Sequence, residues 1–505
     1  MKFQFPAFVF LALLQTALPG YASEEPNACL RHNINDPEVP ECPAKGTEVL
    51  SDSYPALAVT ISDVTGGTAW VKSFVENVIK AVPDKPPQFM MNVTPETYSA
   101  VKSAVEKMEG SPEQKKVWLS SLSRVEGGMG WNWQQDFMQG VVNNGKPLVR
   151  PNGTYNRAAA ARDATINKLA EVCNVPSGQA FAEEEHGEDG YSGGNIEGGP
   201  EGLCVIGDGD IGGYAWKAFA DDICGKSSPK VRAPTSFLNV GHTDEIYTTV
   251  RTGPGLCDIA VLVANPKVGL EALRKSPNGN ALPLLNNAAS SENLTKYYLR
   301  LCDSLSRRKQ QLEDNTRVKP NRSVAGMPAS REPASVKSRV SDKNDESDQC
   351  YLDLSKLTNA QLVDLIESDP QLNLTNEGAG KLLNGFKGDL EKKLGKDGCP
   401  SPKMVELPML FKGLVTDRGI KNGLRDLKVS KAGGIFPNPT NLQQFGDTVL
   451  MSDPGNESLR ADLKNRIESL NGKLQVKFLD TSQMHAKQGN LHCSTNTIRY
   501  CRPQK

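Results

Sequence analysis

Apolar strand-like stretches followed by helices with a single apolar face are the feature that most constrains this fold. Residues 55–64, PALAVTISDV, carry the β-branched composition of a strand. Residues 68–82 then place Val71, Phe74, Val75, Val78, Ile79 and Val82 on one helical face. QFMMNV at 88–93 is the next predicted strand. Thr94-Pro95 opens a second helix with Tyr98, Val101, Val105 and Met108 inward. The rhythm returns near the end of the chain. Asn456 caps a helix carrying Leu459, Leu463 and Ile467, Asn471-Gly472 closes it, and LQVKFLD at 474–480 partly alternates as a strand. Strands alternating with amphipathic helices predict an α/β protein. Between these ends lie an alanine-rich predicted helix over 157–173, a glycine-rich stretch over 187–213 and the run PTSFLNVGHTDEIYTTV at 234–250. No exact repeat is visible, only a recurring strand–helix order.

Charge narrows the function classes. Lys plus Arg number 58 and Asp plus Glu 59, so no strong global field draws the chain to nucleic acid or an anionic membrane. The length of 505 residues suits two or three domains or one large α/β unit, and leaves oligomeric state open.

The first residues read as a signal peptide over 1–22: Lys2 is a short basic region, 8–14 an apolar core, and Gly20-Tyr21-Ala22 a small-residue exit. Six sequons, at Asn92, Asn152, Asn293, Asn321, Asn373 and Asn456, fit the same secretory route. A secreted, extracellular glycoprotein is therefore expected. Eleven cysteines contain no CxxC pair or zinc-knuckle spacing, and in an oxidising compartment at least one is odd. Cys29 with Cys42 is a candidate local bridge. Residues 23–49 form an N-terminal extension. Residues 304–349 are polar and of mixed charge, which predicts a solvated insertion. Thr358 and Gln361 beyond it form a capping box before a helix.

Three clusters carry the candidate chemistry: 128–136, GMGWNWQQD; 240–245, VGHTDE; and 489–496, GNLHCSTN. His242 and Asp244, two apart on a predicted strand, would leave the same face. Together they would bind a cation and move a proton, or simply face water on an edge strand. Cys493 is open to two readings, a disulfide partner of Cys501 or a nucleophile. The second needs a cationic neighbour or substrate to favour the thiolate.

These clusters, in this order, resemble the catalytic domain of the protein-arginine deiminases, members of the guanidine-modifying pentein superfamily. WQQD at 133–136 resembles the family's Trp-x-Gln-Asp, and GGNIE at 193–197 its Gly-Asn-Leu-Glu. VGHTDE at 240–245 resembles Val-Gly-His-Val-Asp-Glu, LHCSTN at 491–496 resembles Val-His-Cys-Gly-Thr-Asn, and Phe436-Pro437 with Asn441-Leu442 is similar to a further loop. The resemblance covers roughly 50–501 and implies a pentein-type α/β propeller, a pseudo-fivefold ring of ββαβ-like modules around a central channel. It implies a secreted microbial or fungal branch lacking the immunoglobulin-like domains of vertebrate members.

Residue by residue, the resemblance makes Asp136 and Asp244 the carboxylates that hold the substrate guanidinium. His242 becomes the general acid/base, Cys493 the nucleophile, Trp133 a wall of the arginine channel, and Arg157 a contact to substrate backbone. With Cys493 reduced, the other ten cysteines form at most five bridges and Cys501 pairs elsewhere. Vertebrate members need calcium, and Gln135 and Glu197 match two of its ligands. Gln139 and Phe137 replace acidic ones, so catalysis without calcium or any other cofactor is expected. The acidic run at 183–189 reads as a solvated loop. The expected partners are arginine-containing peptides or proteins. The rivals are a deiminase of free arginine, agmatine or another small guanidine, an inactive secreted binding protein, and, more weakly, a papain-like protease.

Overall fold

The computed structural model describes residues 28–33, 36–42, 47–64, 66–127, 133–136, 138–143, 145–151, 159–178, 193–208, 213–255, 257–281, 357–395, 399–414 and 430–503. The predicted signal peptide, the insertion at 304–349, the acidic run at 183–189, Phe137, Arg157, Cys302, Cys350, Asn152, Asn293 and Asn321 lie outside the described residues.

The chain is a mixed α/β structure, and one pattern recurs five times among the described residues: two antiparallel strands, a helix, then a segment parallel to the second strand. In the first module the last strand of the chain, Thr495–Arg499, pairs antiparallel with Ala56–Ser62. Helix Gly67–Ala81 follows, and Gln88–Asn92 lies parallel. The second module pairs Met138–Asn143 with Lys146–Pro151 and continues through helix Ala159–Cys173. Its parallel segment is only a bridge between Val149 and Ser177. The third has Ile196–Gly198, Cys204–Gly207, helix Gly213–Cys224 and Lys230–Ala233. The fourth has Tyr247–Arg251, Ile259–Asn265, helix Pro266–Arg274 and Met404–Pro408. Two further helices, Asn359–Ser368 and Pro370–Lys393, intervene in the fourth module. The fifth has Gln443–Phe445, Thr448–Ser452, helix Glu457–Glu468 and Gln475–Leu479.

Local chemistry explains the predicted elements. Val71, Phe74, Val75, Val78 and Ile79 are fully buried against Val59, Ile61, Phe89 and Met91, so the helical face read from the spacing covers the first sheet. Thr94 caps the following helix by accepting from Thr97 N, with Pro95 at its first position. Val101 and Val105 are buried there, whereas Tyr98 and Met108 are half-buried and pack at the margin. The Thr358/Gln361 capping box forms as expected.

One reading needs correction. Cys29 bonds Cys173, Cys42 bonds Cys501, Cys204 bonds Cys224 and Cys257 bonds Cys399. The local Cys29–Cys42 bridge is absent, because Cys29 packs beside helix Ala159–Cys173 while Cys42 meets the C-terminal segment through Arg502. Cys493 is the free cysteine among those described, and it is buried. Burial in the folded chain disfavours a glycan at the Asn92 and Asn456 sequons. Asn92 is buried, donating to Gln134 Oε1 at 2.6 Å and accepting from Thr165 Oγ1. Asn456 is equally buried: it caps its helix at Leu459 N and donates to Ala281 O and Asn359 Oδ1. Four disulfides are compatible with secretion, and no described helix is long and apolar enough to cross a membrane.

Glycopeptide mapping of protein expressed through a eukaryotic secretory route is expected to find Asn92 and Asn456 without sugar, and non-reducing peptide mapping to recover Cys29–Cys173 and Cys42–Cys501. A glycan at either asparagine of folded protein, or a Cys29–Cys42 peptide, contradicts this packing.

Candidate active site

Each module delivers polar side chains from the turn entering its first strand, or from that strand itself. His492 and Cys493 precede Thr495–Arg499, and Gln135 and Asp136 precede Met138–Asn143. Glu197 sits within Ile196–Gly198, His242 and Asp244 precede Tyr247–Arg251, and Asn441 precedes Gln443–Phe445. Hydrogen bonds tie these turns in succession. Asn496 Nδ2 donates to Met138 O at 2.6 Å, joining the first module to the second. Gln135 Nε2 donates to Glu197 Oε1 at 3.4 Å, joining second to third. Thr243 Oγ1 donates to Asn195 O at 2.9 Å, joining third to fourth, and Thr440 Oγ1 to Asp244 O at 2.9 Å, joining fourth to fifth. His492 N donates to Asn441 Oδ1 at 2.6 Å and returns the fifth to the first.

His242 and Asp244 do share one site, though not on a strand. Thr243–Glu245 is a 3-10 turn with His242 at its N-cap. The strand begins only at Tyr247 because the Glu245 carboxylate accepts His242 N at 3.2 Å and holds the turn. One ligand-capable atom each of His242, Asp244 and Cys493 lies within 4.8 Å of the others. Gly194 explains part of the GGNIE stretch: a Cβ there would lie 2.6 Å from His242 Nδ1. Gly489 does the same for Trp133, whose ring a Cβ would meet at 2.2 Å. Trp133 is half-buried and packs against the first module's core.

The carboxylate of Asp244 is the centre of this arrangement. Its Oδ2 receives Asn441 Nδ2 at 2.8 Å, His492 Nδ1 at 3.1 Å and the Cys493 thiol at 3.3 Å. Its Oδ1 is buried with no hydrogen-bond partner among the described residues. Leaving such an oxygen unpaired costs about 1–3 kcal/mol, more for an anion, so this one is poised for a donor-rich ligand.

Behind Asp244 lies a charge cluster that the sequence did not reveal. His492 Nε2 lies 2.8 Å from Asp52 Oδ2, and its Nδ1 also lies 3.6 Å from Glu197 Oε1. Arg499 pairs with Asp52 Oδ1 at 3.1 Å. Both ring nitrogens thus face carboxylate oxygens, which suits the imidazolium. Burial disfavours charge on His492, but Asp52, Glu197 and Asp244 outweigh it and hold its pKa well above the usual value. Burial pushes the Glu197 carboxyl well up, aided by Asp52 and Asp244. Asp52 stays ionised against its burial because His492 and Arg499 face it. Burial, then Asp244, Asp136 and Glu245, raises the Cys493 thiol well above its ordinary value.

Calcium does not fit the residues the family resemblance assigns to it. Gln135 Oε1 and Gln139 Oε1 are buried oxygens without hydrogen-bond partners among the described residues, but both are neutral. Glu197 is the one carboxylate of that set, and it already faces His492 and Gln135. A divalent cation would sit beside an imidazolium and a guanidinium with too little anionic charge to offset them.

No family model matches the chain, and no curated protein matches it. Among solved structures the chain is similar to an agmatine deiminase of C. jejuni, at 10% identity and a TM-score of 0.47, covering 91% of this chain and 98% of that one. It is similar to an agmatine deiminase of Enterococcus faecalis at 12% identity and a TM-score of 0.44, covering 90% and 96%. A protein provisionally named a peptidyl-arginine deiminase gives 10% identity and a TM-score of 0.49, covering 90% and 99%. At such identities and scores the site rests on its own side chains. Of the expected residues, His242, Asp244 and Cys493 come together buried, Asp136 is buried with its charge felt at Cys493, Trp133 packs against Gly489 and the first module's core, and Arg157 lies outside the described residues. Asp52, Asn441 and Arg499 were missed as contributors. Nothing local marks them except the polar loop around Asn441.

Glu245 supplies a test of this electrostatic picture. Burial, reinforced by Asp244, raises its pKa from the usual 4.5 to about 8. The folded state therefore holds a proton that the unfolded state releases between those values, so stability should fall as pH rises from about 4.5 to about 8. The slope is at most ~1.4 kcal/mol per pH unit. Glu245→Gln keeps the backbone acceptor and cannot ionise. It is expected to make the pH profile of the urea midpoint shallower, leaving contributions of the same sign from Glu197 above 4.5 and from His492 above 6.5. Parallel profiles for both proteins would contradict the assignment.

Proposed function

We propose that the chain is a guanidine deiminase acting on the arginine side chain of peptides or proteins, releasing ammonia and leaving citrulline. The observation that carries this reading is the buried Asp244: three internal donors occupy Oδ2, one of them the free thiol, while Oδ1 awaits a ligand. A planar guanidinium offers paired N–H donors to such a carboxylate, and Asp136, whose field reaches Cys493, is the second carboxylate for it. The succession of hydrogen bonds linking five module turns supports a pseudo-fivefold, propeller-like ring with the site at its centre.

In this mechanism Asp136 and Asp244 fix the guanidinium carbon beside Cys493 Sγ, making attack an oriented intramolecular event. The raised thiol is brought down by the arriving cation, which neutralises the carboxylates that hold it up. The thiolate adds to the central carbon, and His242 protonates the departing nitrogen, which leaves as ammonia. His242 then takes a proton from the water that attacks the S-alkylthiouronium and releases citrulline. Trp133 and, by resemblance, Arg157 position the substrate. No step needs a metal, and the leader and disulfides support a secreted enzyme.

Cys493→Ser is expected to abolish citrulline formation while retaining substrate binding. Asp136→Asn and Asp244→Asn should damage both, and His242→Ala should lower kcat by about 10²–10⁴ for each proton transfer. Citrulline release from a blocked arginine peptide should exceed that from free arginine. The reverse order, or ammonia from agmatine, would transfer the reading to a small guanidine, which a buried site also admits. Chelating divalent ions should leave the rate unchanged, and activity restored only by calcium would contradict the mismatch described above.

A further inference from the structure

Asn441 is the fifth module's contribution to the site, and all four of its hydrogen-bonding positions are used. Its Oδ1 accepts from His492 N at 2.6 Å and from Cys493 N at 3.4 Å. Its Nδ2 donates to Asp244 Oδ2 at 2.8 Å and to Cys493 Sγ at 3.1 Å. Two backbone N–H groups can face only the carbonyl oxygen, so the amide orientation is fixed and the N–H pair must point at the carboxylate and the sulfur. The side chain is fully buried and has no water to compete with it.

We propose that the Asn441 amide is the side-chain donor that helps hold Cys493 as a thiolate for attack, while its carbonyl fixes the backbone carrying that sulfur. This rests on the reading of Cys493 as the nucleophile. In the resting site the thiol proton points to Asp244 Oδ2. When a guanidinium takes Asp244, the S–H bond breaks and the proton passes to a ring nitrogen of neutral His242. No electron is exchanged with any other reactant. The sulfur then keeps two fixed neutral donors, the Asn490 backbone N–H and Asn441 Nδ2, of which only the second is a side chain, in a place where Asp244, Asp136 and Glu245 disfavour its charge before substrate arrives. The cations facing this region are the substrate guanidinium, His492, bound to Asp244 Oδ2, and His242 once protonated. A charge-assisted bond to a buried thiolate is the stronger kind, so its loss should be visible in the thiol itself.

The test is the rate of Cys493 alkylation by iodoacetamide as a function of pH, without substrate, on the full disulfide-bonded protein and on Asn441→Ala and Asn441→Asp. Should the alanine variant not fold, Asn441→Leu, which matches asparagine in heavy atoms, replaces it. Both neutral and acidic variants are expected to move the alkylation midpoint up by about one pH unit or more, a tenfold loss of thiolate at a given pH. kcat should fall in parallel and KM much less. Asn441→Asp retains the acceptor for the two N–H groups, so a purely structural role predicts that it rescues the alanine variant. A wild-type midpoint in the neutral variant, or a shift confined to the acidic one, overturns the proposal. If the wild-type protein turned over no guanidine yet the midpoints shifted as expected, the deiminase reading would fail and the role of Asn441 would stand.

Discussion

Everything around the site depends on compensating buried charge. Asp52, Asp244, His492 and Arg499 are each at most 7% exposed, and ions so placed are tolerated only when paired with good geometry. His492 resolves the problem by standing between Asp52 and Asp244, with Arg499 closing the far side of Asp52. Burial pushes the Glu197 carboxyl up, so its own demand for a cation is reduced. This balance holds Asp244 in one orientation and leaves its second oxygen uncommitted. The same balance disfavours calcium: an imidazolium and a guanidinium supply internally the positive charge that a bound ion would otherwise bring.

The fold serves that balance by convergence. No module owns the site, since each contributes residues of one turn or short strand, and the cross-links run through side chains such as Asn496, Thr243 and Thr440. Glycine is required where these turns press together. Gly194 lies against His242 and Gly489 against Trp133, and in both places a methyl group would displace the ring. The Cys42–Cys501 bond fastens the chain just beyond the strand that follows Cys493. The position of Cys493 is therefore tied to the N-terminal extension as well as to the sheet.

Much of the local structure was legible because it follows from spacing. The buried face of Gly67–Ala81 and the caps at Thr94, Thr358 and Asn456 form as the sequence reads. His242 and Asp244 were correctly paired, but by the wrong geometry: Glu245, three residues on, returns to the His242 amide and converts a strand into a 3-10 turn. What stayed hidden were relations between distant turns. Asp52 and His492 are 440 positions apart, and Asn441 and Cys493 are 52 apart. Neither pair leaves a periodic trace. The Cys29–Cys42 reading failed for the same reason, since proximity in sequence was outweighed by packing against a helix more than a hundred residues away. Asn92 and Asn456 satisfied a sequence pattern that says nothing of burial.

The central claim is that Cys493 attacks a guanidinium carbon held on Asp244. The most direct measurement is mass spectrometry of enzyme quenched in acid during turnover of an arginine peptide, with the modified residue located by fragmentation. The account predicts a transient adduct on Cys493 equal to the substrate less ammonia, absent from Cys493→Ser. Steady citrulline production with Cys493 unmodified, or an adduct on any other residue, would contradict it.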